Sequence, residues 1–282
     1  MEKFTYLNSI GKQIEIAYGG NYLLDTYDGL TAAEVIPATV RGYNQNGYTL
    51  SSTNLGARTI TLHFYIFGDT MEQFYQNRAA LSQVFNPLCG NGLLTYENDY
   101  TKKSIYAVVS VPPTIENRMG NLQQCAVELT AYNPFWFDST ENAMRMADFQ
   151  GGLKFPLKSA YYTFASRGDA GRITNYGDVA TPVRIEFRGP AENPDIILVN
   201  TGEFIKVNTT IAQGEKLIIT TDYGNKSVIK EDTSGSRTSA YHLITRDSTF
   251  FSLPLGENKL TFKSDAGEPE VYLYWRNLYT GV

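Results

Sequence analysis

Between Thr59 and Phe67 the chain alternates without a break: Ile60, Leu62, Phe64 and Ile66 fall on one side, Thr59, Thr61, His63, Tyr65 and Phe67 on the other. A period of two, rich in β-branched and aromatic residues, predicts a strand with one fully apolar face. Gly68 ends it. Asp69 and Glu72 then have the spacing of a capping box, which predicts an N-cap at Asp69. A helix is expected over Thr70–Phe85, stopped by Asn86-Pro87, because proline disfavours helical geometry in the residue before it. Met71, Phe74, Tyr75, Leu81, Val84 and Phe85 share one side of that helix. Arg78 interrupts the stripe and allows two readings. Its stem lies on the core with the guanidinium at the rim, or it meets another protein chain.

Around this strand and helix the first half reads as β structure. Short strands are expected at Phe4–Leu7, Gln13–Ala17, Tyr22–Tyr27, Glu34–Val40 and Tyr48–Leu50, divided by Gly11, Gly19-Gly20, Asp28-Gly29 and Asn46-Gly47. Asn44-Gln45-Asn46-Gly47 has the composition of a hairpin tip. Further strands follow at Leu93–Tyr96, Ser104–Val111 and Gln123–Ala131, the last two joined through Pro112–Asn121 as a long hairpin or arm. The expected architecture is a sheet or barrel with one helix against it. Tyr132-Asn133-Pro134-Phe135-Trp136-Phe137 closes this half as an aromatic plug or, alternatively, a sugar-stacking platform.

Residues 138 to 160 change character, with Ser, Thr, Glu, Asn, charges around Met144 and Met146, and Gly151-Gly152, and are the best place for a domain boundary. Beyond Tyr161 the pattern is all β. Strands are expected at Val183–Phe187, Ile196–Val199, Phe204–Val207, Lys216–Thr221, Ser227–Lys230, Tyr241–Leu243, Phe250–Leu253, Asn258–Lys263 and Val271–Asn277. Turn residues every 8–12 positions or so suggest a sandwich or jelly roll. The organisation read from this is a first domain at 1–138, a linker at 139–160 and a β-sandwich domain at 161–282.

Composition narrows the function. The 282 residues suffice for two cores, and 20 Tyr with 15 Phe lean towards strands. No apolar run approaches the length of a membrane helix, and Met1-Glu2-Lys3-Phe4 lacks a signal-peptide core, so assembly in a cytoplasm is expected. A net charge of −5 without a basic run argues against binding nucleic acid through its phosphates. Cys89 and Cys125 are read as buried free thiols.

Searching for catalytic chemistry yields little. His63 and His242 are the only histidines, and each is read as structural. No spacing resembles a zinc or EF-hand site, a Walker loop, a nucleophile elbow or a dinucleotide fingerprint. Asp232-Thr233-Ser234-Gly235-Ser236 has only a superficial likeness to an aspartic protease loop, with its glycine displaced and no second copy. The expectation is no catalytic residue, no cofactor and no metal: a protein whose function is its shape.

Several short stretches, in order, carry a family likeness. In the first half these are Tyr22-Leu23-Leu24 leading to Gly29-Leu30, Arg58 opening the long strand, and Gly68 with its helix and Asn86-Pro87. Gly92-Leu93-Leu94-Thr95-Tyr96 and Asn133-Pro134-Phe135-Trp136 complete the set. In the second half they are Asn175-Tyr176-Gly177-Asp178, Thr181-Pro182, Gly189, Asn193-Pro194 and Leu217-Ile218-Ile219-Thr220-Thr221. Phe250-Phe251-Ser252-Leu253-Pro254, Gly256-Glu257-Asn258 and the run from Trp275 to Val282 follow. With these the chain resembles the phage distal tail proteins, the hub at the tip of long-tailed phages. The resemblance implies a tail-tube-like first domain, a galectin-like second domain and no enzyme activity. It also implies a homo-oligomeric ring, of six copies, whose lumen lets DNA pass without specific binding. Its partners would be the tail tube protein, the tail-tip hub protein and receptor-binding components, with no membrane.

A competing class is a lectin-like adhesion module, stacking sugars on Tyr272, Tyr274, Trp275 or the Phe135-Trp136 pair. Against it, the second half lacks the spaced His, Asn and Arg set with which galectins hold galactosides.

Overall fold

The computed structural model describes residues 1–31, 33–146, 148–150, 166–168 and 170–282. They divide into two compact units, the first made of Met1–Ser139 with Tyr279–Val282 and the second of Thr140–Leu278.

The first unit runs through β1 (Lys3–Leu7), β2 (Gln13–Ala17), β3 (Tyr22–Asp28), β4 (Val35–Val40), β5 (Thr49–Leu55) and β6 (Arg58–Phe67). Helix α1 (Met71–Val84) follows, then β7 (Gly92–Glu97), β8 (Lys102–Met119), β9 (Leu122–Ala131) and β10 (Trp136–Asp138). Pairing runs in the order β8-β7-β1-β2-β3-β6-β9, and β8 also pairs with β9, which closes seven strands into a barrel. The expected alternation of β6 is realised: Ile60, Leu62, Phe64 and Ile66 are all buried inside. They meet Phe4, Tyr6, Ile14, Ile16, Leu94, Ile105, Val127 and Leu129 in one core.

Helix α1 starts one residue later than its sequence pattern indicates. The N-cap is Thr70, whose hydroxyl accepts from the amide of Gln73 at 3.2 Å, while Gln73 Oε1 accepts from the amide of Asp69 at 3.0 Å. Threonine with glutamine three positions on makes the cap that aspartate with glutamate seemed to offer, and the helix buries Phe74, Leu81 and Val84. Met71 and Tyr75, expected in the stripe, are exposed. The other end is held by Asn8, whose amide donates to the carbonyl of Val84 at 3.2 Å, and by Tyr6 stacked on Phe85 at 4.9 Å.

Thr140 to Leu278 form a β-sandwich. Its strands are β11 (Asn142–Met146), β12 (Asp148–Gln150), β13 (Ser166–Gly168), β14 (Ala170–Asn175), β15 (Val183–Arg188), β16 (Ala191–Glu192), β17 (Asp195–Leu198) and β18 (Glu203–Lys206). They continue as β19 (Thr210–Ile211), β20 (Lys216–Thr220), β21 (Ser227–Glu231), β22 (Arg237–Ser239), β23 (Gly256–Lys263), β24 (Glu270–Trp275) and the start of β25 (Leu278–Tyr279). One sheet has the order β11-β24-β15-β20-β21-β22 and the other β14-β23-β17-β18. Ile185, Phe187, Leu217, Ile219 and Leu273 from the first meet Ile173, Ile196, Leu198, Leu260 and Phe262 from the second in a single core.

Two expected strands take other forms. Tyr241–Leu243 is a 3-10 turn, and Phe250–Leu253 is extended chain tied to Thr181 by a reciprocal pair of backbone hydrogen bonds of 3.0 and 2.7 Å. The stretch 139–160, read as linker, contains β11, which pairs with β24 from Asn142 opposite Trp275 to Met146 opposite Val271. Residues 147 and 151–160 of that stretch lie outside the described residues.

Candidate assembly site

Among the described residues, strands β4 and β5 pair only with each other. Every residue of β4 is exposed, and so is every residue of β5 except Leu55. Alternation cannot bury a face here, because the hairpin has no third strand or helix to lie against. Val35, Ile36, Val40, Tyr48 and Leu50 all stand in solvent. Two-stranded hairpins are marginal in water on their own, and an exposed apolar edge is a template for pairing with another chain. The expected tip at Asn44–Gly47 is its turn, with positive φ at Asn44 (59°) and Gly47 (80°).

At its root the hairpin leaves the barrel after Leu30 and returns at Arg58. Arg58 is fully buried, and its guanidinium closes that root. Nη1 donates to the carbonyls of Gly29 and Leu30, both at 2.8 Å, and Nε donates to that of Pro134 at 2.9 Å. Nη2 donates to the carbonyl of Thr280. Burial pulls the guanidinium below its ordinary value. Gly29 has φ +85°, and a Cβ there would meet the carbonyl oxygen of Thr59 at 1.9 Å, so the root needs glycine. Trp136, also fully buried, donates from Nε1 to the same Leu30 carbonyl at 3.1 Å. The aromatic cluster around Pro134 is thereby a plug in the core, with Tyr132 alone left largely exposed.

The far half of the β8–β9 hairpin is the second exposed feature: β9 stays paired with β6 as far as Leu122 opposite Phe67, and β8 runs along its other side. Pro112 and Pro113 sit where the register slips between Val111 and Thr114, at a bulge in which proline's missing N–H costs no ladder bond. The strand continues to Met119, and Asn121 donates to the carbonyl of Gly68 at the head of α1. Arg118 lies over the rings of Phe74 and Tyr75, 5.7 and 5.8 Å from their centroids. Arg78 is partly exposed and makes no ion pair among the described residues.

Residues that carried chemical suspicion in the sequence take structural places. His63 is half-buried on β6 and His242 exposed on its turn. Cys125 is buried, its thiol pushed up to about 12. Asp232 holds a turn, accepting from the Ser234 hydroxyl at 2.6 Å and from the amides of Ser236 at 2.9 Å and Ser234 at 2.8 Å, and those bonds, the hydroxyl's above all, keep its carboxyl below the usual range. The proposed sugar platforms are covered. Arg184 lies 3.9 Å over Tyr274 and Arg188 lies 4.2 Å over Tyr272, while Trp275 packs against the sandwich core. Glu186, nearly buried between the two arginines, accepts from Arg188 Nε at 2.6 Å. Among the described residues no three His, Cys, Asp or Glu side chains group to hold a metal, and no helix is long and apolar enough to cross a membrane.

Two family models match the chain: residues 11–131 match the phage tail protein RIFT-related domain, and residues 176–279 the C-terminal domain of the siphovirus-type tail component. Of the solved structures, the SPP1 Dit protein, called a paradigm of the hub adsorption apparatus in phages infecting Gram-positive bacteria, is similar over 98% of both chains, with TM-score 0.67 at 13% identity. A chain of the phage P2 baseplate, in its activated conformation with Ca, is similar over 98% of both chains, with TM-score 0.59 at 10% identity. Such identities speak for a shared fold. No curated protein matches the chain.

Proposed function

The chain belongs to the phage distal tail protein family, and from this premise we propose that six copies close into a ring at the far end of the tail tube. Its role is structural, at the tail tip of the virion. The observation that carries the ring is the β4–β5 hairpin. Its apolar side chains have no cover among the described residues, and a neighbouring copy supplies one in a closed assembly. The far half of β8 adds a second exposed edge.

In this reading the first unit continues the tube and its lumen passes DNA. A net charge of −5 suits that, because a cationic lumen would retain DNA by its phosphates. One ring face meets the tail tube protein and the other the tail-tip hub protein. The sandwich unit carries receptor-binding components. Against the lectin alternative, Tyr272 and Tyr274 lie under arginines and Trp136 lies in the core.

Light scattering and negative-stain microscopy of the purified protein test the ring. A variant with Val35→Asp, Ile36→Asp and Val40→Asp should stay monomeric with an unchanged melting temperature. A ring that persists in this variant would overturn the assignment of the hairpin.

A further inference from the structure

Arg58 is a buried cation with no ion pair among the described residues; main-chain carbonyls of four residues hold its guanidinium. Such a charge is tolerable only where dipoles replace the water it has lost. Gly29, Leu30 and Pro134 precede the sandwich in sequence. Thr280 follows it.

The segment that brings Thr280 in is tied at several further points, all within the first unit. Lys103 Nζ lies 3.5 Å from the centre of the Tyr279 ring and donates to the carbonyl of Gly281 at 3.4 Å. Tyr279 and Val282 pack against the barrel core. Gly281 comes so near Thr31 that a Cβ on it would meet Thr31 Cα at 3.2 Å. The segment therefore sits on the root of the β4–β5 hairpin, which leaves the barrel after Leu30 and returns at Arg58.

We propose that Tyr279–Val282 is a strap whose docking on Arg58 fixes the root of the β4–β5 hairpin, so that a chain becomes competent to assemble only after its sandwich has been synthesised. Until Thr280 arrives, Nη2 lacks its carbonyl and the root lies open to water. The hairpin is then free to swing, and its apolar side chains are not presented in one geometry. Protomers without a sandwich are thereby kept out of the assembly. The assembly half of this statement rests on the ring reading above; the docking half does not.

The test uses the full chain beside a chain ending at Leu278, both in the native and the Arg58→Lys background, with Tyr279→Ala as a milder variant. Amide hydrogen exchange at residues 29–31 and 58–60 reads the root, and light scattering over time reads assembly. Without the strap, exchange at the root should rise at least tenfold, exchange in β15, β20 and β24 should stay as it was, and assembly should slow at least tenfold. In the Arg58→Lys background, removing the strap should add less than threefold, because coupled groups are not additive. Unchanged root exchange overturns the proposal, and so does an effect of full size in the Arg58→Lys background. Faster exchange with assembly at the native rate overturns the gating. Should the shortened chain fail to fold, the same readings on Tyr279→Ala decide. Should the native chain form no ring, the ring reading fails and root exchange still decides whether the strap docks on Arg58.

Discussion

The hydroxyl of Tyr75, on α1, accepts a hydrogen bond from Arg118 Nη1, on the far half of β8, at 2.8 Å. The sequence pattern assigns Tyr75 to the buried stripe of the helix, but the ring is half exposed and serves as the seat for the far half of β8. Arg118→Ala should release that segment at a cost of about 1 kcal/mol, the sum of an exposed cation–π contact and one hydrogen bond. Hydrogen exchange should speed up at Met119–Leu122 while the amides of β6 keep their protection. Equal exchange in both proteins would mean that the β8–β9 ladder alone holds the hairpin.

Thr70 and Asp69 offer a sharper contrast. Thr70→Ala removes the hydroxyl that accepts from Gln73 and should destabilise the first unit by about 1 kcal/mol. Asp69→Ala should cost a few tenths at most, through weaker interaction with the helix dipole. Thermal unfolding of the two variants side by side checks this; the reverse order would return the cap to Asp69.

Arg78 separates assembly from stability. With its side chain partly exposed and unpaired among the described residues, Arg78→Ala should leave the monomer's melting point within about 0.5 kcal/mol of native. A weaker ring in sedimentation velocity would place Arg78 at a contact between copies. A large loss of monomer stability would point instead to a buried partner, whose removal costs about 3–5 kcal/mol.

How far the sequence could go follows from the range of each interaction. The alternation of β6, the helix and the hairpin tips are local patterns, and they were legible. The closure of the barrel depends on β8 pairing with both β7 and β9, and nothing local encodes which strand meets which. Arg58 could be seen to open the long strand, yet its four acceptors span residues 29 to 280. A lone arginine at a strand start carries no sign of that. The β4–β5 hairpin was legible as two strands, but nothing in its pattern tells that Val35, Ile36 and Val40 are exposed; on the ring reading their cover belongs to another chain. Asn142–Met146 read as linker because its charges at Glu141 and Arg145 mask a strand. Those charges are paired across the sheet edge, with Arg184 at 2.8 Å and with Glu270.

Asp195 gives the second unit a pH dependence of known sign. One carboxylate oxygen is buried without a partner. Burial raises its pKa, and Asp265 adds to this, against the opposing pull of Lys206 and Lys263 on the two neighbouring strands. A carboxyl that holds its proton more tightly in the folded state favours folding at low pH. Its contribution falls as pH rises from the unfolded value, about 3.9, through the higher folded one. Asp195→Asn should therefore raise the melting point of the sandwich at pH 7 and lose that advantage below pH of about 3.5. A variant less stable than native at pH 7 would show that the two lysines outweigh burial.

The boundaries of the second unit can be tested by dissection, because its ends lie together. Asn142 stands opposite Trp275 in the β11–β24 ladder, so the chain enters and leaves the sandwich side by side, as an inserted domain does. We expect a fragment of residues 140–278 to fold alone as a monomer. A fragment cut at 161–282, where composition places the domain, lacks β11. It would bare the edge of β24 and open the core at Met146, which is fully buried. Loss of such a side chain costs about 2–5 kcal/mol, before counting the lost Arg145–Glu270 and Arg184–Glu141 pairs. The shorter fragment should therefore melt well below the longer one and associate at high concentration through the bared strand. Equal melting points would show that β11 adds nothing to the sandwich and that the polar stretch is a linker after all.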